Sequence, residues 1–225
     1  MTARATSCMK SDAIRSIIRA YDDPIVRAYC WARFWILRQR FLDEIGQYLP
    51  PTGPVLDIGC GFGLFSLYYA LTGPGRFLRG SDLSARRLQM ARRAAARLGA
   101  DNVAYEEGDA REFKGDGDVA AAYMLDIVHH IAPLTVPPLL RALHRCLQPG
   151  GYLLVKDVDT RPAAKRCFTW LLDRLMAPAT PVHYWPAETL ASTLEGTGFR
   201  VRRHLMVDVL PYPHVLYICE KRAAP

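Results

Sequence analysis

The sequence lacks the paired-cysteine motifs and the targeting segments that mark secreted and membrane proteins. Its six cysteines are scattered over 225 residues, with neither a CxxC pair nor the Cys/His spacing of a zinc site. The first ten residues are polar and contain neither the apolar segment nor the cleavage site of a secretory signal. We therefore expect a protein of the reducing cytoplasm with free, buried thiols.

A long uninterrupted hydrophobic run is also missing. The longest stretch without a charged residue, residues 58–75, contains five glycines and a proline, so it predicts a turn, a short helix and a second turn instead of a membrane span. Half of the residues are hydrophobic and 23% are charged, which excludes disordered and fibrous classes. At roughly 150 residues per domain, the length favours one decorated domain.

Basic residues are in excess, with 29 basic against 22 acidic residues and an isoelectric point near 9.2. Such an excess occurs in proteins that bind nucleic acid or an anionic membrane surface. The excess is dispersed, apart from five arginines in the acid-free residues 84–100. An arginine-rich helix of this kind commonly does no more than solvate one face.

From residue 50 onward, short apolar runs alternate with helical ones, which indicates a parallel sheet covered by helices. Seven strands are predicted, at residues 54–58, 77–81, 102–106, 118–125, 152–157, 199–207 and 214–220. Helices are predicted between them, at residues 64–71, 85–98, 135–146 and 187–197.

Two regions stand outside this alternation, and we interpret them as helical additions. Residues 1–50 predict an N-terminal helical cap, because apolar residues recur at helical spacing between Ile25 and Ile45. About residues 160–186 predict a helical lid inserted between the fifth and sixth strands. Residues 51–225 then form the main domain.

A glycine-rich turn, Val-Leu-Asp-Ile-Gly-Cys-Gly-Phe-Gly at residues 55–63, stands between an apolar strand and a helix. Glycines at such a turn let the backbone approach a ligand closely. A dinucleotide fingerprint needs a third glycine or an alanine where Leu64 stands, and no lysine follows as in a P-loop. The run resembles the first motif of the class I S-adenosylmethionine-dependent methyltransferases, which is matched by Asp57, Gly59, Gly61 and Gly63.

Further features of this family follow in order along residues 54–157. Asp82 ends the second strand about 20 residues past the loop, where a carboxylate can accept hydrogen bonds from ribose hydroxyls. Gly108-Asp109-Ala110 follows the third strand, Asp118 opens the fourth, and residues 147–151 are a near match to the family's turn before the fifth.

The resemblance implies an α/β fold, a doubly wound, mostly parallel seven-stranded sheet with its last strand antiparallel, and S-adenosyl-L-methionine as cofactor, with S-adenosyl-L-homocysteine as product. It places Leu83 against the adenine ring, Asp109 near the adenine amino group and the Ala110 amide beside it. No carboxylate cluster indicates a metal site. The implied cofactor-binding residues are Asp57, Gly59, Gly61, Gly63, Asp82, Leu83, Asp109, Ala110 and Met124.

The end of the fourth strand, residues 123–131, resembles the double-histidine segment of methyltransferases that act on small molecules. It lacks the Asn/Asp-Pro-Pro-aromatic motif of enzymes that methylate nucleic-acid bases. His129 or His130 is a candidate general base, because imidazole titrates near neutral pH, although either could instead cap a helix or bond to the backbone. Asp126 is expected to orient a histidine or to face solvent.

The additions contain aromatic residues that could line a substrate pocket or could belong to the core: Trp31, Trp35, Trp170 and Tyr184. The sheet and its covering helices already contain the apolar residues that the core needs, so the apolar residues of the additions are left to contact something else. We therefore expect a hydrophobic small-molecule acceptor, such as a lipid, a quinone precursor or a secondary metabolite. Arginines among the aromatics of the N-terminal helix also permit peripheral contact with an anionic membrane.

Two other functions stay open. The basic composition permits an RNA or protein methyltransferase, although the fourth-strand segment argues against nucleic acid as a partner. The intact glycine loop is also compatible with a non-catalytic cofactor-binding partner protein. The sequence leaves the oligomeric state open.

Overall fold

The computed structural model describes residues 3–115, 118–160, 182–206 and 214–222. The chain divides into two compact units, Met1–Asp109 and Ala110–Pro225. The boundary predicted at residue 50 stays a prediction.

Three helices open the first unit: α1 (Ala3–Ala20), α2 (Pro24–Ile36) and α3 (Gln39–Gly46). Asp23 caps α2, since its carboxylate accepts hydrogen bonds from the amides of Ile25 and Val26. Pro24 occupies the first turn, where an amide hydrogen would have no intrahelical partner. One face of each of α2 and α3 is buried, which agrees with the helical spacing of the apolar residues.

The first unit continues with three parallel strands and two helices: β1 (Gly53–Ile58), α4 (Leu64–Thr72), β2 (Arg76–Asp82), α5 (Ala85–Leu98) and β3 (Val103–Glu107). The side chain of Ser84 caps α5. Gly99 ends the helix with a left-handed backbone conformation that glycine adopts without strain.

The second unit contains β4 (Val119–Leu125), α6 (Val136–Cys146), β5 (Leu147–Val158), α7 (Ala187–Gly196), β6 (Phe199–Met206) and β7 (His214–Lys221). β5 begins five residues earlier than predicted, because Leu147 already pairs with Val119. The register then shifts, so that Tyr152 pairs with Ala121. The residues between, expected to form a turn, are therefore an irregularity within the strand, and Gly150 in it has φ +78°.

The seven strands are ordered β3-β2-β1-β4-β5-β7-β6. β7 is antiparallel to both of its neighbours, β5 and β6. The predicted mostly parallel seven-stranded sheet with an antiparallel last strand is confirmed. The second unit's core is deepest at β4 and β5, where Ala121–Met124 and Leu153–Val155 have no exposed surface.

The helical lid predicted for residues 160–186 falls largely outside the described residues, and so does Trp170. Residues 182–186 are described and lead into α7. Within the described ranges, no helix combines the length and the apolar character that crossing a membrane requires.

Cys30, Cys60, Cys146 and Cys219 are free thiols. Cys30, Cys146 and Cys219 are buried, as expected, while Cys60 is partly accessible. Burial raises the pKa of the Cys30 thiol to about 12, so it stays neutral at physiological pH.

Candidate active site

The glycine-rich loop connects β1 to α4 with three left-handed residues. Gly59, Gly61 and Gly63 have φ values of +77°, +56° and +75°, a region that other residues enter at a cost. A Cβ atom built on Gly63 would lie 2.4 Å from the Tyr105 hydroxyl, whereas one on Gly61 would meet nothing within 4 Å. Close packing against Tyr105 thus explains why position 63 needs a glycine, whereas open space lies beside Gly61.

Asp82 is held beside this loop by backbone amides. Its Oδ2 accepts a hydrogen bond of 2.9 Å from the Gly61 amide, and its Oδ1 accepts one of 2.9 Å from the Ser84 amide. The loop itself is joined to β2, since the amides of Gly59 and Cys60 both donate to the Ser81 carbonyl. Each carboxylate oxygen has two lone pairs, so Asp82 retains acceptor capacity for ribose hydroxyls.

Asp57 lies beneath the loop with 3% of its surface exposed. Its Oδ2 accepts a hydrogen bond of 2.5 Å from the hydroxyl of Ser66, which is buried in α4. Burial raises the pKa of the neighbouring Cys60 thiol, and the charges of Asp57 and Asp82 raise it further. The Asp57 carboxylate beneath the loop is therefore held in place, and the Cys60 thiol in the loop stays neutral.

The other residues assigned to the cofactor occupy different environments. Leu83 is 62% exposed directly after Asp82, which suits a side chain offered to a planar ring. Asp109 closes the first unit two residues after β3, and Ala110 opens a one-turn 3₁₀ helix, Ala110–Glu112, in the second. The Met124 side chain is fully buried in β4. The cofactor contacts of these residues stay predictions.

Phe62, at the tip of the loop, is clamped by contacts that sequence analysis missed. The Tyr21 hydroxyl donates a 2.6 Å hydrogen bond to its carbonyl. The Tyr29 ring lies 5.4 Å from the Phe62 ring between centroids, and the Arg87 guanidinium lies 5.7 Å from its centroid. Because Tyr21 and Phe62 are 41 residues apart, local sequence contains no signal of this clamp.

Two arginines of the acid-free residues 84–100 make contacts within the first unit. Arg97 donates to the Ala20 carbonyl at 2.7 Å and pairs with Asp22 at 2.6 Å. Arg92 donates to the Tyr105 carbonyl at 2.6 Å. These intramolecular contacts account for part of the arginine cluster without nucleic acid.

The second unit contains a buried pair between His129 and Asp157. The His129 Nδ1 lies 2.5 Å from Asp157 Oδ1, and the His129 amide donates to Asp157 Oδ2 at 3.0 Å. Both side chains are only 3% exposed. A carboxylate at Nδ1 favours the tautomer with the proton on Nδ1, which places the lone pair of the ring on Nε2.

Asp126 has a lysine as partner, which the sequence did not predict. Its carboxylate pairs with Lys156 Nζ, and its amide donates to the Lys156 carbonyl at 2.9 Å. Asp126 has φ +59°, the sole positive φ outside glycine among the described residues, so the chain turns sharply after β4. The carboxylate that orients a histidine is Asp157, which sequence analysis left without a role, although a charged pair ending an apolar strand could have signalled it.

His130 and Tyr184 lie against His129. The two histidine rings are 4.1 Å apart between centroids, and the Tyr184 ring stacks on His129 at 5.7 Å and 25°. The His183 amide donates to the His129 carbonyl at 2.7 Å, which fixes this segment beside the histidines. The structure thus brings together three residues that the sequence predicts as catalytic or substrate-binding.

The predicted substrate residues Trp31 and Trp35 lie on α2 in the first unit, stacked at 6.2 Å between ring centroids. They are 60% and 45% exposed, so they do not belong to the core. Across the described ranges, no group of three or more His, Cys, Asp or Glu is placed to hold a metal ion.

Comparison with known proteins identifies the class. The family model for a methyltransferase domain matches residues 32–204. An uncharacterized methyltransferase from Synechocystis sp. is 27% identical over 165 residues, which cover 70% of this chain and 72% of that protein. An O-methyltransferase family protein from Burkholderia thailandensis has a TM-score of 0.68 and 19% identity, over 89% of this chain and 61% of that structure.

A ubiquinone biosynthesis O-methyltransferase from Pseudomonas paraeruginosa is 32% identical over 133 residues. The match covers 57% of this chain and 53% of that enzyme, so the chain spans about half the length of this relative.

The chain belongs to the methyltransferase domain family, within the S-adenosylmethionine-dependent class. S-adenosylmethionine is its cofactor. The donor set fits this molecule, because a sulfonium, an amino acid end, a ribose and an adenine, without phosphate, call for carboxylates and glycine backbone. Asp82 and the left-handed loop present such groups at the carboxyl ends of parallel strands, and a cofactor contact of the buried Asp57 stays a prediction.

Proposed function

We propose that this enzyme methylates a hydroxyl oxygen of a hydrophobic small molecule, with His129 as general base and Asp157 as its positioning residue. The observation that carries the proposal is the buried hydrogen-bonded pair of these two side chains. The similarity to ubiquinone biosynthesis O-methyltransferases supports an oxygen acceptor.

Bound S-adenosylmethionine supplies an electrophilic methyl group on a sulfonium. A phenolic hydroxyl, with a pKa of about 10, attacks such a methyl group well only after losing its proton. The His129 Nε2 is suited to take that proton, because Asp157 holds the ring and stabilises the imidazolium that forms. Holding the acceptor in line with the methyl group supplies much of the remaining acceleration.

The surroundings of His129 favour an apolar acceptor. Val128 has no exposed surface and Ile131 is 4% exposed, so buried apolar residues flank the histidine turn on both sides. The Tyr184 ring stacks on the His129 ring and adds an aromatic surface beside it. Tyr184, one of the residues predicted to bind substrate, contacts the proposed base.

Histidine variants test the proposal. The purified protein is incubated with S-adenosylmethionine and a panel of apolar phenols and catechols, and S-adenosylhomocysteine formation is followed. We expect His129→Ala to lower kcat by about 10²–10⁴-fold with unchanged cofactor affinity. Asp157→Asn should also lower kcat and alter its pH profile, because an amide cannot stabilise the imidazolium.

His204→Ala, on the exposed part of β6, is the matched control and should keep full activity. Loss of activity in His130→Ala with full activity in His129→Ala would assign the base to His130. Cofactor binding without turnover on any acceptor would favour a non-catalytic partner protein, and salt-dependent RNA binding would favour an RNA methyltransferase.

A further inference from the structure

Helix α2 has apolar side chains on two faces, and only one of them is in the core. Val26, Cys30 and Phe34 are buried. The opposite face presents Ile25, Trp31 and Trp35, which are 78%, 60% and 45% exposed. The two indole rings are stacked, with their centroids 6.2 Å apart and their planes nearly parallel at 8°. We call these three residues the α2 outer face.

The chain segment that carries this face is rich in arginine, and Asp22 and Asp23 precede it. Residues 24–42 contain four arginines and no acid. Arg27, Arg38 and Arg40 are exposed. The Arg27 guanidinium donates to the backbone carbonyls of Tyr21 and Arg19, which are neutral acceptors. The α2 outer face is therefore an apolar surface with a basic border.

Two of the acids that flank this segment pair with cations outside it. Asp22 pairs with Arg97, and Asp43 pairs with Lys10 at 2.6 Å. Asp23 caps the start of α2. Asp22 and Asp43 are thus each paired with a cation outside residues 24–42.

We propose that the α2 outer face docks on an anionic lipid surface. Tryptophan favours the membrane–water interface, where its ring is apolar and its N–H meets polar groups, and arginines at the border pair with headgroup phosphates. A second copy of the chain fits less well, because two surfaces with the same basic border repel each other. The inference rests on α2 alone and does not depend on the proposed acceptor.

Sedimentation of the full chain with lipid vesicles tests the docking. Vesicles of phosphatidylcholine alone are compared with vesicles that contain about one third phosphatidylserine, whose negative surface attracts arginine. We expect binding to the anionic vesicles only, weakened by salt, with a blue shift of tryptophan fluorescence. The double variant Trp31→Ala/Trp35→Ala should lose at least about tenfold in partitioning, and Arg38→Gln/Arg40→Gln should lose the dependence on phosphatidylserine.

The matched control is Leu134→Ala/Leu205→Ala, which removes two apolar side chains that are 91% and 69% exposed elsewhere. It should sediment like the unmodified chain. Titration of each variant with S-adenosylhomocysteine shows that the first unit is folded, and its outcome is independent of the vesicle result.

No sedimentation with anionic vesicles, or undiminished sedimentation of the tryptophan variant, would overturn the proposal. A concentration-dependent dimer that the same variant abolishes would assign the α2 outer face to a second copy and would overturn it equally.

Discussion

Asp82 shows how one carboxylate can serve both the loop and a ligand. Its two oxygens accept hydrogen bonds from Gly61 and Ser84 on either side, so its position is determined before any cofactor binds. A carboxylate fixed in this way loses little conformational entropy on binding ribose. Asp57, by contrast, is buried against Ser66 and acts on the shape of the loop.

Asp82→Asn should weaken S-adenosylmethionine binding by about 10- to 100-fold, which corresponds to losing a charge-assisted hydrogen bond. The amide nitrogen would also face a backbone N–H, either of Gly61 or of Ser84, where an acceptor is required. Calorimetric titration measures the change. Asp101→Asn, in an exposed turn, is the control and should bind normally. Unchanged affinity of the Asp82 variant would remove this residue from the site.

Among the structural elements, the turn after β4 positions the proposed general base. β4 pairs in parallel with β5, with Leu125 opposite Lys156. The left-handed Asp126 reverses the chain, and the 3₁₀ turn Val128–His130 then brings His129 onto Asp157, the next residue of β5. The pairing of two strands therefore determines which carboxylate meets the histidine.

The N-terminal helices act on the cofactor loop through the contact between Tyr21 and Phe62. Tyr21→Phe should lower stability by about 1–3 kcal/mol, because it leaves the Phe62 carbonyl without this donor. We also expect severalfold weaker cofactor binding, since the loop loses a constraint on its tip. Chemical denaturation and calorimetric titration measure the two effects.

Tyr29→Phe is the matched control for this clamp, because it keeps an aromatic ring against Phe62. A Tyr21→Phe protein that is destabilised yet binds the cofactor with unchanged affinity would show that the clamp supports only the fold.

At the scale of the whole molecule, cofactor binding should stabilise the folded state. At a free concentration 100 times its dissociation constant, S-adenosylhomocysteine is expected to add about 2.7 kcal/mol. For a chain of this size that is a rise in Tm of about 5–10 °C. Thermal unfolding with and without the ligand measures it, and the Asp82→Asn protein should show a smaller rise. No rise for the unmodified chain would contradict the assigned site.

Much of the fold could be predicted because its signals are local. The alternation of apolar strands and helices follows from side-chain periodicity, and all seven predicted strands are present, six of them with small shifts at their ends. β5 departs most, since pairing of Leu147 with β4 extends it across a Pro-Gly-Gly sequence that locally predicts a turn. Hydrogen bonds to a neighbouring strand outweighed local preference there.

The sequence by itself determined the glycine loop, the carboxylate that ends β2 and the double histidine, because each is a short motif with a local conformation. Only the tertiary structure decided which carboxylate faces His129, 28 residues away, and that Tyr21 holds the loop from 41 residues away. It also decided that Trp31 and Trp35 face outward while Phe34 faces the core. Burial depends on what packs against a helix, and helical spacing alone does not specify it.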